Sequence, residues 1–369
     1  MRNITIIYDG SHYLYRWLKP LMWAKNEFLE LGYSIHYSSY KDFLPIFKKG
    51  EKQNLKKAMT HNYDIVMLAF HHSTSYLCTC SKSERIDILQ KIKQNCRELI
   101  WLDTADSTGT CMFDVMPVVD LYLKKQILKD TKRYLSPIWG GRTFCEYYHT
   151  QTGLEDEQLK QDYSILDIKD INKIRLSWNV GMGDLFAKGK SLLLHPFSIM
   201  KPDFICPNSK IKNMDLHFRG SGWSPIAGYQ RTKCKELVSK LNNISHPDVN
   251  SKIPYKEYVK EIKKAKMVLS PFGWGEICTR DFEAFAYGAT LIKPSMEHSI
   301  TYPNWYIPNE TYIPLNWNFD NFYNIIENKD IKLYREIAQN GFNMFHYYRT
   351  SNDAKKEFAE HVIKSITEK

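Results

Sequence analysis

Several things are scarce or missing in this 369-residue chain, and each absence removes a class of function. No apolar run approaches the roughly 18 residues that a membrane-spanning helix needs. No signal-peptide apolar stretch precedes the first strand-like run, Ile4-Thr5-Ile6-Ile7-Tyr8. A cytoplasmic location is therefore expected, with any membrane contact peripheral, on the inner face. The eight cysteines form no paired framework. Cys78 and Cys80 stand two apart with His71 and His72 upstream, and no second pair follows at metal-binding spacing. Reduced thiols and no metal site are expected. Internal repeats and low-complexity tracts are absent as well.

The charge is not balanced. Net charge is +10, from 51 Lys and Arg against 41 Asp and Glu. Nucleic acid, an anionic membrane surface or a diphosphate substrate would each suit that excess. An arginine-rich arm, an RNA-binding signature and zinc-finger spacing are all missing, so no nucleic-acid partner is expected. The basic pairs Lys48-Lys49, Lys124-Lys125 and Lys263-Lys264 are scattered and read as solvated surface. A hydrophobic content of 43% and a charged content of 25% fit a folded chain with a sizeable core.

The first half alternates strand and helix patterns. Asn3 to Tyr8, Ser34 to Tyr37, Tyr63 to Phe70, Leu99 to Leu102 and Val118 to Leu123 read as strands. Trp17 to Leu31 and Ser83 to Cys96 read as helices between them. Such alternation predicts a doubly wound parallel sheet, an α/β fold. A second sheet is expected from about Asp215, with helices over Arg231 to Leu241 and Tyr255 to Ala265. Two further helices, Ile331 to Phe345 and Asn352 to Lys369, close the chain.

The most informative stretch is SPFGWGEICTRDFEAFAYGATLIKP, from Ser270 to Pro294. An apolar run ends at Ser270; Pro271, Gly273 and Gly275 then break it into a turn. A helix is expected from near Glu276, stopping at Gly288, and Ala289 to Ile292 reads as the next strand. A strand, glycine loop, helix and strand present backbone N–H groups and a helix N-terminus to a phosphate. At helical spacing Glu276, Arg280, Glu283 and Tyr287 share one face, while Ile277, Cys278, Phe282, Phe285 and Ala286 form the packing face, with Asp281 intruding. Carboxylates accept hydrogen bonds from ribose hydroxyls, and arginine offers a diphosphate a forked pair of donors.

The segment resembles the donor-site unit of GT-B glycosyltransferases, the group 1-like and exostosin-like families, in SPFGxGE, R-x-x-E-A, Gly288 and Lys293-Pro294. The likeness continues through His298, Pro303 and Asn309 to Ile326. It implies two Rossmann-like domains facing across a cleft: residues 1–180 on the acceptor side with a linker, and residues 181–350 binding the nucleotide-sugar. It also implies that the helix in 351–369 crosses back to the first domain. Retaining relatives carry two glutamates eight positions apart. Here Glu276 and Glu283 are seven apart, and Gly275 stands at the aligned first position. Glu283 matches the ribose-holding glutamate, and Arg280 resembles the phosphate-binding arginine of exostosin-like transferases.

Gly273, Gly275, Glu276, Arg280 and Glu283 are therefore the expected donor site. Arg219, after the strand-like Asp215 to Phe218, and Arg231, opening a helix, join them as phosphate candidates. On the acceptor side, strand ends offer Asp9, His71, His72, Asp103 and Asp106. Asp103 is the preferred general base and His71, with its near-neutral pKa, the other candidate. Asp-x-Asp, the spacing of metal-dependent transferases, is absent: Asp103 and Asp106 lie three apart. The expectation is a metal-independent, cofactor-free glycosyltransferase (EC 2.4). It would move a sugar from a nucleotide-sugar to a saccharide or lipid-linked acceptor, in cell-surface glycan synthesis. The alternatives are a nucleotide-sugar epimerase or hydrolase on the same fold, or a basic non-catalytic nucleic-acid- or membrane-binding protein.

Overall fold

The computed structural model describes residues 1–37, 55–159, 164–186, 199–327 and 330–368. Lys48, Lys49 and Lys369 lie outside the described residues. The strands are β1 (Arg2–Tyr8), β2 (Tyr33–Tyr37), β3 (Tyr63–Ala69), β4 (Cys96–Asp103), β5 (Leu121–Lys124), β6 (Gln126–Leu128), β7 (Ile174–Leu176), β8 (Met214–His217), β9 (Ala265–Leu269), β10 (Thr290–Pro294), β11 (Ser299–Thr301) and β12 (Ile313–Leu315).

The first sheet runs β2-β1-β3-β4-β5-β7, and every pairing is parallel. The last five residues of β1, β3 and β4 are all buried, as apolar strands covered on both faces must be. Helices His12–Trp23 and Lys82–Lys93 follow β1 and β3. Ser11 and Ser81 cap them, their hydroxyls accepting from Leu14 N–H and Glu84 N–H. The expected Trp17 to Leu31 helix is two, His12–Trp23 and Lys25–Glu30, divided at Ala24. Strand order reverses beside β1, and there the Asp9 carboxylate ties the strand ends together. It accepts from the N–H groups of His71 and Ser11, both at 2.8 Å.

The second sheet is smaller, β12-β10-β9-β8, again parallel. Helices Tyr229–Ser239, Tyr255–Lys264 and Thr279–Ala286 accompany it. The loops after β4, β8 and β9 line one shared cavity, so the carboxyl ends of the two sheets face each other across a cleft. Two Rossmann-like parallel-sheet domains opposed in this way are the GT-B layout.

Three joins hold the lobes together. β6 and β11 form an antiparallel ribbon that the sequence pattern does not reveal, because each strand has three residues. Helix Asn352–Thr367 packs on the first lobe: Phe358 lies edge-on to Phe28 and Trp178, and the Ser365 hydroxyl donates to Leu176 O at 2.9 Å. Arg349 donates to the carbonyls of Gly181 and Gly183 at 2.7 and 2.8 Å, beside the buried Lys19–Asp184 ion pair. Among the described residues no helix is long and apolar enough to cross a membrane.

At Gly275 the second lobe packs directly on the first. A Cβ built there would lie 1.8 Å from the backbone oxygen of Asp106, so any side chain must push the two lobes apart. At Gly273 the nearest obstacle, at 2.8 Å, is the end of the flexible Arg231 side chain. Gly275→Ala is therefore expected to cost roughly 1–3 kcal/mol of stability, the usual range for overpacking, and Gly273→Ala much less. Thermal unfolding of the two variants checks this; equal midpoints would refute the close approach.

Candidate functional site

The cleft encloses a cavity of about 1000 Å³. Its second-lobe wall begins with the loop after β9. The helix expected from Glu276 starts instead at Thr279, because Asp281 accepts from the Cys278 N–H at 3.0 Å and fixes the first turn there. Asp281, which intrudes on the apolar face, is buried against Lys293 at 3.0 Å, the Ser270 hydroxyl at 2.5 Å and the Tyr306 hydroxyl at 2.7 Å. Gly288 ends the helix with φ +60°, a conformation open to glycine.

Glu283 lines the cavity from this helix. Its carboxylate accepts from the Tyr258 hydroxyl at 2.6 Å and the Tyr255 hydroxyl at 3.2 Å. Arg280, one turn earlier, donates to the backbone oxygen of Arg219, while its Nε–H finds no partner among the described residues. Arg231 reaches over from helix Tyr229–Ser239. Its Nε donates to Phe272 O at 3.0 Å, and its terminal nitrogens donate to no oxygen among the described residues. Burial lowers the Arg231 pKa, and the neighbouring Arg280 lowers it further, although Cys278 and Asp281 oppose this. Two guanidiniums beside a glycine loop and a helix N-terminus make an electropositive wall.

Two of the expected donor residues are engaged elsewhere. Arg219 lines the cavity, but its guanidinium is held in a fork by Glu261 at 2.6 and 2.9 Å and also donates to Asp248 O and Ser251 O. Glu276 is fully buried behind the loop and turns toward the first lobe. It accepts from the Ser107 hydroxyl at 3.0 Å, the Thr108 N–H at 3.0 Å and the Thr108 hydroxyl at 2.7 Å, with His298 Nε2 3.7 Å away. Burial alone would raise its pKa; the His298 imidazole and the Thr108 donors outweigh that and hold the carboxyl at about 2.

On the acceptor wall Asp103 does not reach the cleft. It is buried, with Oδ2 accepting from Lys124 Nζ and the Tyr122 hydroxyl, both at 2.7 Å, and Oδ1 from Ala105 N–H. Asp106 lines the cavity instead, its side chain half exposed. Its Oδ1 accepts from the Tyr13 hydroxyl at 2.9 Å and from Lys125 Nζ at 3.0 Å. Burial acts to raise the Asp106 pKa, but Lys125 prevails and the carboxyl stays below the usual range, ionised at neutral pH. His71 stands behind Tyr13, ring centroids 5.5 Å apart and edge-on, with Nδ1 2.9 Å from the Thr74 hydroxyl. Lys124 and Lys125, expected on the surface, are both buried as partners of these acids. Trp17 and Arg16, also in the cleft, carried no signal in the sequence beyond a helical pattern.

No protein-family model matches the sequence, and no curated protein matches it. Solved structures do match. HepE of Anabaena, crystallised with UDP-glucose, is similar over 99% of this chain and 100% of its own, at 10% identity and a TM-score of 0.46. An alpha-glucosyltransferase bound to UDP and a DNA 13-mer with an HMU base covers 98% and 100%, at 11% and 0.45. A UDP-N-acetylglucosamine 2-epimerase covers 99% and 95%, at 9% and 0.41.

The Glu276 carboxyl predicts an acid dependence. A group whose folded pKa is depressed adds stability above its unfolded pKa and loses it as pH falls through the folded value. With 4.5 as the reference and about 2 in the fold, the contribution is on the order of 3 kcal/mol, complete above pH 5 and gone near pH 2. The stability gap between wild type and Glu276→Gln should therefore shrink as pH drops from 5 to 2. Denaturant titrations across that range measure it; a constant gap would refute it.

Proposed function

We propose that the chain is a metal-independent glycosyltransferase that takes a sugar from a nucleotide-sugar. The observation that carries this reading is the cavity between two sheet ends, with Arg231 and Arg280 beside the glycine loop on one wall and the ionised Asp106 on the other. Transfer needs the leaving diphosphate stabilised, and fixed arginines and backbone N–H groups serve that without a bridging cation. Glu283, steadied by two tyrosines, is suited to the ribose hydroxyls. Asp106 faces the cavity where an acceptor hydroxyl would enter and takes the base role expected of Asp103; an inverting displacement needs such a base. The acceptor is a saccharide or lipid-linked acceptor in cell-surface glycan biosynthesis, and the chain works in the cytoplasm, peripherally on the inner face of a membrane.

A thermal-shift screen of nucleoside diphosphates and nucleotide-sugars tests the donor site directly; a ligand at 100 times its Kd adds about 2.7 kcal/mol. Arg231→Ala and Arg280→Ala should each weaken nucleoside-diphosphate binding by about 1.5–3 kcal/mol and leave nucleoside binding nearly unchanged. Glu283→Gln should weaken both ligands. Equal losses of diphosphate and nucleoside in the arginine variants would show that they act through folding.

Turnover separates the chemistry. Asp106→Asn should lower kcat by roughly 10²–10⁴ with donor affinity retained, and activity should persist in excess EDTA. Abolition by chelator with rescue by manganese would overturn the metal-free reading. Donor turnover that ignores every acceptor would favour an epimerase or hydrolase.

A further inference from the structure

Trp274 is unexplained by the donor site. It is the central residue of Gly273-Trp274-Gly275, and it is 42% exposed although an indole gains by burial. The loop does not leave it loose. Its carbonyl accepts from Arg142 Nε at 2.6 Å, and the Arg142 guanidinium lies 5.3 Å from its ring. Trp223 backs it at 5.5 Å, tilted by 45°. The ring is thus fixed at the cavity lining, and its indole N–H makes no hydrogen bond among the described residues. A rigid, wet aromatic surface inside a cavity is the usual signature of a ligand platform.

Its position says which ligand. The neighbour Gly275 abuts the backbone of Asp106, and Arg142 belongs to the first lobe, so Trp274 sits where the loop meets the acceptor wall, with Trp223 and Arg231 behind it on the donor side. Glu283, Tyr255 and Tyr258 are grouped around the donor helix instead. A pyranose ring has an apolar C–H face and a polar hydroxyl edge. An indole face with a free N–H next to an ionised carboxylate offers a counterpart to each.

We propose that Trp274 is the stacking platform for a saccharide acceptor, placing a sugar hydroxyl toward Asp106. This rests on the glycosyltransferase reading and narrows its acceptor to a carbohydrate ring. The test is saturation-transfer NMR on the full chain with the methyl glycosides of glucose, galactose, mannose and N-acetylglucosamine, and with maltose and lactose. Each is run with and without the nucleoside diphosphate that gives the largest thermal shift. At least one sugar should show transfer to its ring C–H protons. Its affinity should fall at least fivefold in Trp274→Ala and be largely kept in Trp274→Tyr, while nucleoside-diphosphate affinity changes less than twofold. No contact with any sugar, or equal contact in Trp274→Ala, overturns the platform. A parallel loss of nucleoside-diphosphate affinity overturns it too, by assigning the ring to the donor. Failure of every nucleotide to bind wild type would instead sink the donor reading, and the sugar titrations without nucleotide still decide the platform.

Discussion

The loop after β9 carries the anion-facing wall, and what fixes that loop is a carboxylate pointing away from the cleft. Glu276 comes from the second lobe, while the hydroxyl and N–H donors that surround it, from Ser107 and Thr108, come from the first. Separating the lobes would strip a fully buried charge of its partners, a cost of several kcal/mol unless water replaces them. The loop is thereby held by both domains at once. Gly275 permits the contact by having no side chain, and Arg142 secures it from the other side through the Trp274 carbonyl. Arg231 and Arg280 inherit their positions from this anchoring, since one donates to Phe272 O within the loop and the other stands on the helix that follows it.

The acceptor wall rests on a related device. Lys124 ends β5, and Lys125 is the bend residue between β5 and β6. One meets Asp103 and the other Asp106. The first pair is sealed and structural: Tyr122, Thr110 O and Ala105 N–H complete its hydrogen bonds. The second opens on the cavity, with Lys125 buried and its carboxylate partner half exposed. The same ion-pair chemistry yields a brace in one case and a reactive-looking carboxylate in the other, and only solvent access separates them.

That difference explains what could be read from the residues alone. Pattern was enough for the parallel strands, because β1, β3 and β4 end in five-residue buried runs and β9 is a short apolar stretch, and for the glycine loop with Glu283 and Arg280. It was not enough to choose between Asp103 and Asp106, three residues apart after one strand, since the choice depends on which lysine each meets. Glu276 was placed on the helix because its spacing fits; the Cys278–Asp281 cap, a local contact that competes with helical periodicity, moved the start to Thr279. The β6–β11 ribbon escaped because three-residue strands carry no usable period and their paired residues lie 171 to 175 positions apart in the chain.

Charge neutralisation separates the cleft arginines from one another. Arg219 and Arg231 both line the cavity, the first just after β8 and the second in the first turn of helix Tyr229–Ser239. Glu261 meets Arg219 with a bidentate fork, the strongest geometry a carboxylate offers a guanidinium. A phosphate approaching Arg219 would have to displace that carboxylate or share the cation with it. Arg231 has one backbone carbonyl and the face of Trp223, 4.5 Å away, and among the described residues its terminal nitrogens make no hydrogen bond to a carboxylate. Asp281, a carboxylate that acts on it, is already paired with Lys293, so an anion in this partly dry cleft gains far more from Arg231 than in water. Arg219 instead holds Asp248, Ser251 and Glu261 together beneath the cavity floor, and through its backbone oxygen it orients Arg280. One arginine thus positions another: Arg219 is neutralised by Glu261, and Arg280 keeps Glu283 and the Tyr258 hydroxyl beside it.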